Sequence, residues 1–291
     1  MQSETGLQLL ARLGSRPSIS DVLSPIFKEG PNSKDVIELY GPEGTGKTEI
    51  LLNIVAHTIL PKSWKSVPLN GKDASVIFID NDYKFSILRL VALMESRINM
   101  ILKNLDQHEH TTNDVEMLIQ KCLSRLSLIR CSSSAELLVT LYSLEQTILS
   151  NPNLAVIMID SISAFYWIDK CNCGESLSAQ ERNMRLITEV LSQFVNDFSL
   201  IVIATKCELF KKKTPKEDSY SETPSNTVPD KMDHQEFLCK PWGQLVTQRY
   251  ILEKQSAKKT FKCQIEISKN NISVIKFKIT ENGIQYVPGN S

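Results

Sequence analysis

The residues best suited to chemistry stand in one short stretch, Gly41-Pro42-Glu43-Gly44-Thr45-Gly46-Lys47-Thr48. It fits the pattern G-x-x-x-x-G-K-[ST], a loop that cradles the phosphates of a nucleoside triphosphate. The glycines let the backbone close on phosphate oxygens, with N–H groups turned inward. Lys47 brings a point charge to the β- and γ-phosphates, and the Thr48 hydroxyl can ligate Mg²⁺. A second group of interest ends the run Leu154-Ala155-Val156-Ile157-Met158-Ile159-Asp160. Unbroken hydrophobicity marks a strand covered on both faces, and a carboxylate at its C-terminal end sits where parallel sheets bind ligands. Together with the loop, Asp160 is expected to hold Mg²⁺ directly or through water.

These groups need elements to hold them. Val36-Ile37-Glu38-Leu39-Tyr40 reads as a short strand before the loop. After it, Ile50, Leu51, Ile54, Val55 and Ile59 fall on one face of a helix over 49–59. Strand, glycine-rich turn and helix is the arrangement that aims backbone N–H groups at an anion. Further on, 61–72 reads as a polar connection, 75–80 as a buried strand and 85–105 as a long helix. A loop over 108–113 precedes a helix over 115–123 and a strand over 126–130. Residues 135–149 carry a helix with Leu137, Leu141, Leu144 and Ile148 inward. The stretch 161–178 reads as loop, 179–198 as helix and 200–205 as a buried strand. Residues 211–235 turn polar and proline-bearing, with three adjacent lysines at the start, and read as a mobile loop. Strand-like pieces over 245–252, 261–267, 272–279 and 284–287 close the chain, with Asn282-Gly283 as a turn signal. Alternating strands and helices followed by a run of strands predict an α/β fold. Its sheet is mostly parallel, flanked by helices and extended by antiparallel strands at the C-terminal end. This is the layout of a RecA-type P-loop ATPase core. The organisation expected is an N-terminal arm over 1–35 and one core domain over 36–291.

Bulk composition narrows the classes. The chain has 291 residues, 42% of them hydrophobic, enough for a sizeable core. Lys+Arg and Asp+Glu balance at 33 each, so any nucleic-acid contact rests on a local patch rather than a global field. No apolar run approaches the length of a membrane span. Seven scattered cysteines, an odd number without a framework spacing, predict reduced thiols. The four histidines form no ligand spacing and read as solvated or structural.

The stretches at 41–48, Phe78-Ile79-Asp80 and Ile159-Asp160-Ser161-Ile162-Ser163-Ala164 resemble those of the eukaryotic RecA-like recombinases. Gly174-Glu175-Ser176-Leu177-Ser178-Ala179-Gln180 and the end over 277–283 are similar too. Residues 161–169, 79–83 and 238–240 resemble a paralogue branch of that family. The resemblance covers nearly everything from Val36 to Ile284. It implies ATP and Mg²⁺ as cofactors and homologous-recombination repair of double-strand breaks as the setting. It also implies a hetero-oligomeric complex with other recombinase paralogues, contact with single-stranded or branched DNA, and a nuclear location. The DNA-facing loops would lie near 167–180 and 211–235. Two departures shape the expected activity. Asp82 stands where recombinases place the glutamate that orients the attacking water, and it is one methylene shorter. Thr205 and Lys206 stand where the family places Asn-Gln against the γ-phosphate. ATPase activity is therefore expected to be weak or absent, with Asp82 the only candidate base. The absent N-terminal helical domain implies a subunit at the end of a stack. Two other readings stay open on the residues: a stand-alone DNA-dependent ATPase, and an interaction subunit with a relic phosphate loop.

Overall fold

Strand β1 (Val36–Gly41) is buried at every position and lies near the middle of a nine-stranded sheet. The computed structural model describes residues 14–23, 26, 27, 30–105, 111–174, 176–209, 234, 236–255, 260–267 and 271–287, with Gly6 and Leu9. After β1 come α1 (Lys47–Ile59), a small hairpin of β2 (Ser63–Trp64) and β3 (Val67–Pro68), then β4 (Ser75–Asp80). Next are α2 (Ile87–Asn104), α3 (Thr112–Leu123), β5 (Leu126–Ile129), α4 (Ser134–Ser150) and β6 (Leu154–Asp160). They lead to α5 (Tyr166–Asn172), α6 (Leu177–Phe198), β7 (Ile201–Cys207) and α7 (Lys240–Leu245). The chain ends on β8 (Gln248–Gln255), β9 (Thr260–Ile267), β10 (Asn271–Thr280) and β11 (Gly283–Val287).

The strand order is β11-β10-β9-β8-β1-β7-β6-β4-β5. From β8 to β5 every pairing is parallel, and β8 to β11 continue as an antiparallel meander. The expected mixed architecture is therefore the one observed. Alternation along each strand sends side chains to two separate cores. Ile37, Leu39, Phe78, Met158, Ile201 and Ile203 pack on the side of α1, α2 and α3. Val36, Ile79, Ile159, Val202 and Ala204 pack on the side of α4, α6 and α7. This parity decides which polar residues can reach the phosphate loop.

Helix starts follow local capping chemistry. Thr111 and Asp114 form a reciprocal capping box, so α3 begins at Thr112, ahead of the expected 115. Ser176 caps α6, which starts at Leu177 rather than 179. Four short elements were not expected. The β2–β3 hairpin lies in the 61–72 connection, too brief to show a period. Helix α5 falls inside the stretch read as loop; it buries none of its seven residues, so it carries no apolar stripe. Helix α7 is launched by Pro241 in its first turn and anchored by the buried Trp242.

The N-terminal arm contributes to the core. Ile19, Val22, Ile26 and Phe27 are buried against the α1 side of the sheet. The Arg16 guanidinium donates to the carbonyls of Ile148 (3.1 Å), Asn151 (2.6 Å) and Phe198 (3.2 Å), neutralising the C-terminal ends of α4 and α6. Leu7, Leu10 and Leu13, and the stretch 211–233, lie outside the described residues.

Of the two readings left open for the histidines, solvated or structural, the buried His57 on α1 takes the second. Its Nε2 donates to the Asn70 carbonyl at 2.6 Å, and burial pushes its pKa down to about 4. The unfolded chain takes up this proton near the ordinary value of 6.5, whereas the folded chain resists until about 4. The stability that neutral His57 contributes is thus present above pH 6.5 and lost as pH falls from there towards 4, up to roughly 3 kcal/mol. Denaturant midpoints from pH 7.5 to 4.5 should fall in wild type and fall less in His57→Gln; parallel profiles would contradict this.

Candidate nucleotide-binding site

The loop 41–46 joins β1 to α1 at the C-terminal edge of the parallel strands. Gly44 and Gly46 take left-handed backbone (φ 75° and 87°), which only glycine adopts cheaply. A Cβ on Gly46 would also stand 2.5 Å from Cδ1 of Ile279 on β10, so the end of that side chain would have to shift to admit it. Thr45 donates its hydroxyl to the Pro42 carbonyl (2.8 Å) and steadies the turn. Lys47 Nζ donates to the carbonyls of Gly41 (2.6 Å) and Pro42 (2.7 Å). Burial pushes its pKa down, partly countered by Cys207 and Asp160. A partly desolvated ammonium of this kind gains from an anionic ligand.

Thr48 and Asp160 meet although 112 residues separate them. Thr48 Oγ1 donates to Asp160 Oδ2 at 2.7 Å, and Thr205 Oγ1 donates to Oδ1 at 2.5 Å. Burial pushes the Asp160 carboxyl above its usual range, against the pull of these two hydrogen bonds. A threonine and a buried carboxylate beside a phosphate loop form the donor set that Mg²⁺ prefers: hard oxygen ligands that leave room for water and phosphate. The peptide bond after Asp160 is cis.

Asp82 borders the same cleft, which spans ≈ 450 Å³ and is lined by Glu43 to Glu49, Lys84, Arg89, Asp160, Cys207 and Ile279 among others. Asp82 is placed by its backbone N–H, which donates to the Asp160 carbonyl (3.0 Å). Its carboxylate lies 3.6 Å from Lys84 Nζ. Arg89 is committed elsewhere. It forks onto the Glu49 carboxylate and donates to the carbonyls of Thr280 (2.7 Å) and Glu281 (2.6 Å), fastening the β10–β11 turn to α1. Sequence reasoning missed Lys84 and Arg89, and it noted Thr205 without its hydrogen bond to Asp160. For Thr205 the signal was strand parity: Ile201, Ile203 and Thr205 share the α1 side of β7.

Lys206, one residue on, faces the opposite way and is fully buried. Its Nζ donates to both oxygens of Glu236 (2.9 Å each) and lies 3.6 Å from Glu38 Oε2. It also stands 4.7 Å from the Phe237 ring and 5.7 Å from Tyr40. Glu38 on β1 accepts from Arg249 Nε (2.7 Å) and Trp242 Nε1 (2.6 Å), with His234 Nε2 at 3.2 Å. Burial alone would raise the Glu38 pKa, but His234, Lys206 and Arg249 outweigh it and bring it to about 2. Glu38, His234 and Glu236 offer ligand atoms within 4.8 Å of one another. Lys206 and Arg249 already balance the two carboxylates, so the cluster is an ion-pair network rather than a cation site. Position 206 is thereby tied to the sheet face away from the phosphate loop.

The family model of Rad51 matches residues 17–214. The mouse protein named DNA repair protein XRCC2 is 34% identical over 290 residues, spanning 98% of both chains. An Arabidopsis thaliana protein named DNA repair protein XRCC2 homolog is 28% identical, covering 87% of this chain and 77% of its own length. DNA repair protein RAD51 homolog 3 of Cricetulus griseus is 22% identical, covering 85% of this chain and 62% of its own. The chain belongs to the Rad51 family of RecA-like proteins, in the branch of the XRCC2 homologues. The resemblance of residues 161–169, 79–83 and 238–240 to X-ray repair cross-complementing protein 2 agrees with these relatives. Among the described residues, no helix is long and apolar enough to cross a membrane.

Proposed function

We propose that this chain is an ATP·Mg²⁺-binding recombinase-paralogue subunit that supports homologous-recombination repair by helping a recombinase assemble on DNA. The observation that carries the reading is the convergence of Lys47, Thr48 and Asp160 at the glycine-rich turn. In this reading the backbone from Gly41 to Gly46 and the Lys47 ammonium hold the phosphates. Thr48 and Asp160 would hold Mg²⁺, which would supply positive charge to offset that of the phosphates. Thr205 keeps the Asp160 carboxylate turned towards Thr48. Asp82 is the candidate base, and its short side chain accounts for weak or absent turnover, since a misplacement near 1 Å costs about a hundredfold. The relatives' names support the setting of DNA repair and recombination; other recombinase paralogues and DNA as partners, and the nucleus as location, belong to the proposal itself.

The test is assembly and turnover together. The chain, mixed with a second recombinase paralogue, should co-elute as a hetero-oligomer and increase recombinase loading on single-stranded DNA, with ATP turnover far below that of a recombinase. Vigorous DNA-stimulated turnover by the chain alone, abolished by Lys47→Ala, would instead make it a stand-alone ATPase. No complex and no effect on loading would overturn the proposal.

A further inference from the structure

Lys84 stands at the mouth of the nucleotide cleft. Asp80, fully buried at the end of β4, accepts from the backbone N–H of Lys84 (2.9 Å) and of Phe85 (3.2 Å). Between them Tyr83 takes left-handed backbone (φ 56°), and its ring lies 5.6 Å from the Arg130 guanidinium. The turn 81–85 is thus pinned from below and at its flank. It carries Lys84 Nζ to 3.0 Å from Glu43 Oε1, on the phosphate loop itself, and 3.6 Å from Asp82. Both carboxylates and Lys84 line the same cleft as Lys47.

Charge balance shows what this lysine is available for. The cations of the cleft are Lys47, Lys84 and Arg89, and the anions are Glu43, Glu49, Asp82 and Asp160. Arg89 and Glu49 are committed to each other. Lys47 is already folded onto the loop carbonyls. Lys84 is 47% exposed and shares its charge between Glu43, 79% exposed at 3.0 Å, and the more distant Asp82 at 3.6 Å, so its direct hydrogen-bond partner is an exposed one. Such a pair is worth little and is easily exchanged for a better anion. A phosphate is that anion, because it combines a larger charge with several acceptor oxygens.

We infer that Lys84 is a second phosphate-binding lysine, which leaves Glu43 for the terminal phosphate of a bound triphosphate and sets the preference for ATP over ADP. The inference rests on the reading of the cleft as an ATP site. A diphosphate lacks the group that Lys84 would take and leaves it on Glu43.

The experiment is calorimetric titration of ATP·Mg²⁺ and ADP·Mg²⁺ into the full chain and its variants, with thermal melts in parallel. Lys84→Gln should weaken ATP by about tenfold and ADP by less than about twofold, and Lys84→Arg should restore most of the loss. Glu43→Gln, which removes the nearer of the two carboxylates that face Lys84, should raise the ATP-to-ADP preference. This second variant carries the test if Lys84→Gln does not fold. Equal losses for both nucleotides, no loss, or an unchanged or lower preference in Glu43→Gln would overturn the role of Lys84 while leaving the ATP site in place. No binding of either nucleotide by the wild type would overturn both.

Discussion

Glu38→Ala is expected to destabilise the fold by about 3–5 kcal/mol, the largest effect of any single substitution considered. Glu38 is fully buried on β1 between β7 and β8, and it is the group on which Lys206, Arg249, His234 and Trp242 converge. Deleting it leaves the Trp242 indole N–H without its acceptor, and removes one of the two carboxylates that face Lys206 and Arg249. An uncompensated buried charge costs far more than the intact pair contributes, because neither water nor a counter-ion reaches it. Acid should have the same consequence. The folded pKa of Glu38 is about 2, against an ordinary 4.5, so its contribution is present above pH 4.5 and lost as pH falls from there towards 2. Chemical denaturation of Glu38→Ala checks the magnitude. A loss under about 1 kcal/mol would mean that the cluster relaxes freely. Because residues 234 and 236–242 belong to this cluster, the variant should also expose that segment first in hydrogen exchange.

Lys47→Ala should weaken ATP·Mg²⁺ by roughly a hundredfold, equivalent to about 3 kcal/mol, the upper end for a charged hydrogen bond. The fold should not suffer with it. Lys47 is an ammonium that burial already disfavours, and among the described residues no carboxylate forms an ion pair with it. The variant should therefore melt within a few degrees of wild type while losing the nucleotide. This contrast with Glu38→Ala separates a binding lysine from a structural acid. A Lys47→Ala protein that binds ATP normally would mean that the phosphates are held elsewhere.

The parts legible in sequence were those in which cause and effect lie close together along the chain. The phosphate loop could be read because its glycines, lysine and threonine are adjacent. The β6 strand could be read because the six residues before Asp160 had to be apolar to be buried on both faces. Asp160 and Thr48 were assigned to one site through chemistry, and the sheet brings them into contact. Thr205 could not be placed without the parity of β7. Lys206 looked like a departure at the γ-phosphate, yet parity turns it into a buried network assembled from β1, β7, β8, His234, Glu236 and Trp242. Glu38 carried a legible warning, since a carboxylate inside a fully apolar strand requires a buried partner. Lys84 gave no such sign, because its position depends on the turn that Asp80 folds beneath it. Helix α5 was hidden for a third reason: an exposed helix of seven residues has no inner face to advertise.

The most direct test of the central claim is titration of ATP·Mg²⁺ into the wild-type chain, alone and in complex with a second recombinase paralogue. The site geometry predicts saturable binding at one site per chain, weakened when Mg²⁺ is removed, because Thr48 and Asp160 then hold no metal against the phosphates. Absence of binding in both states would contradict it and leave the glycine-rich turn as a structural element alone.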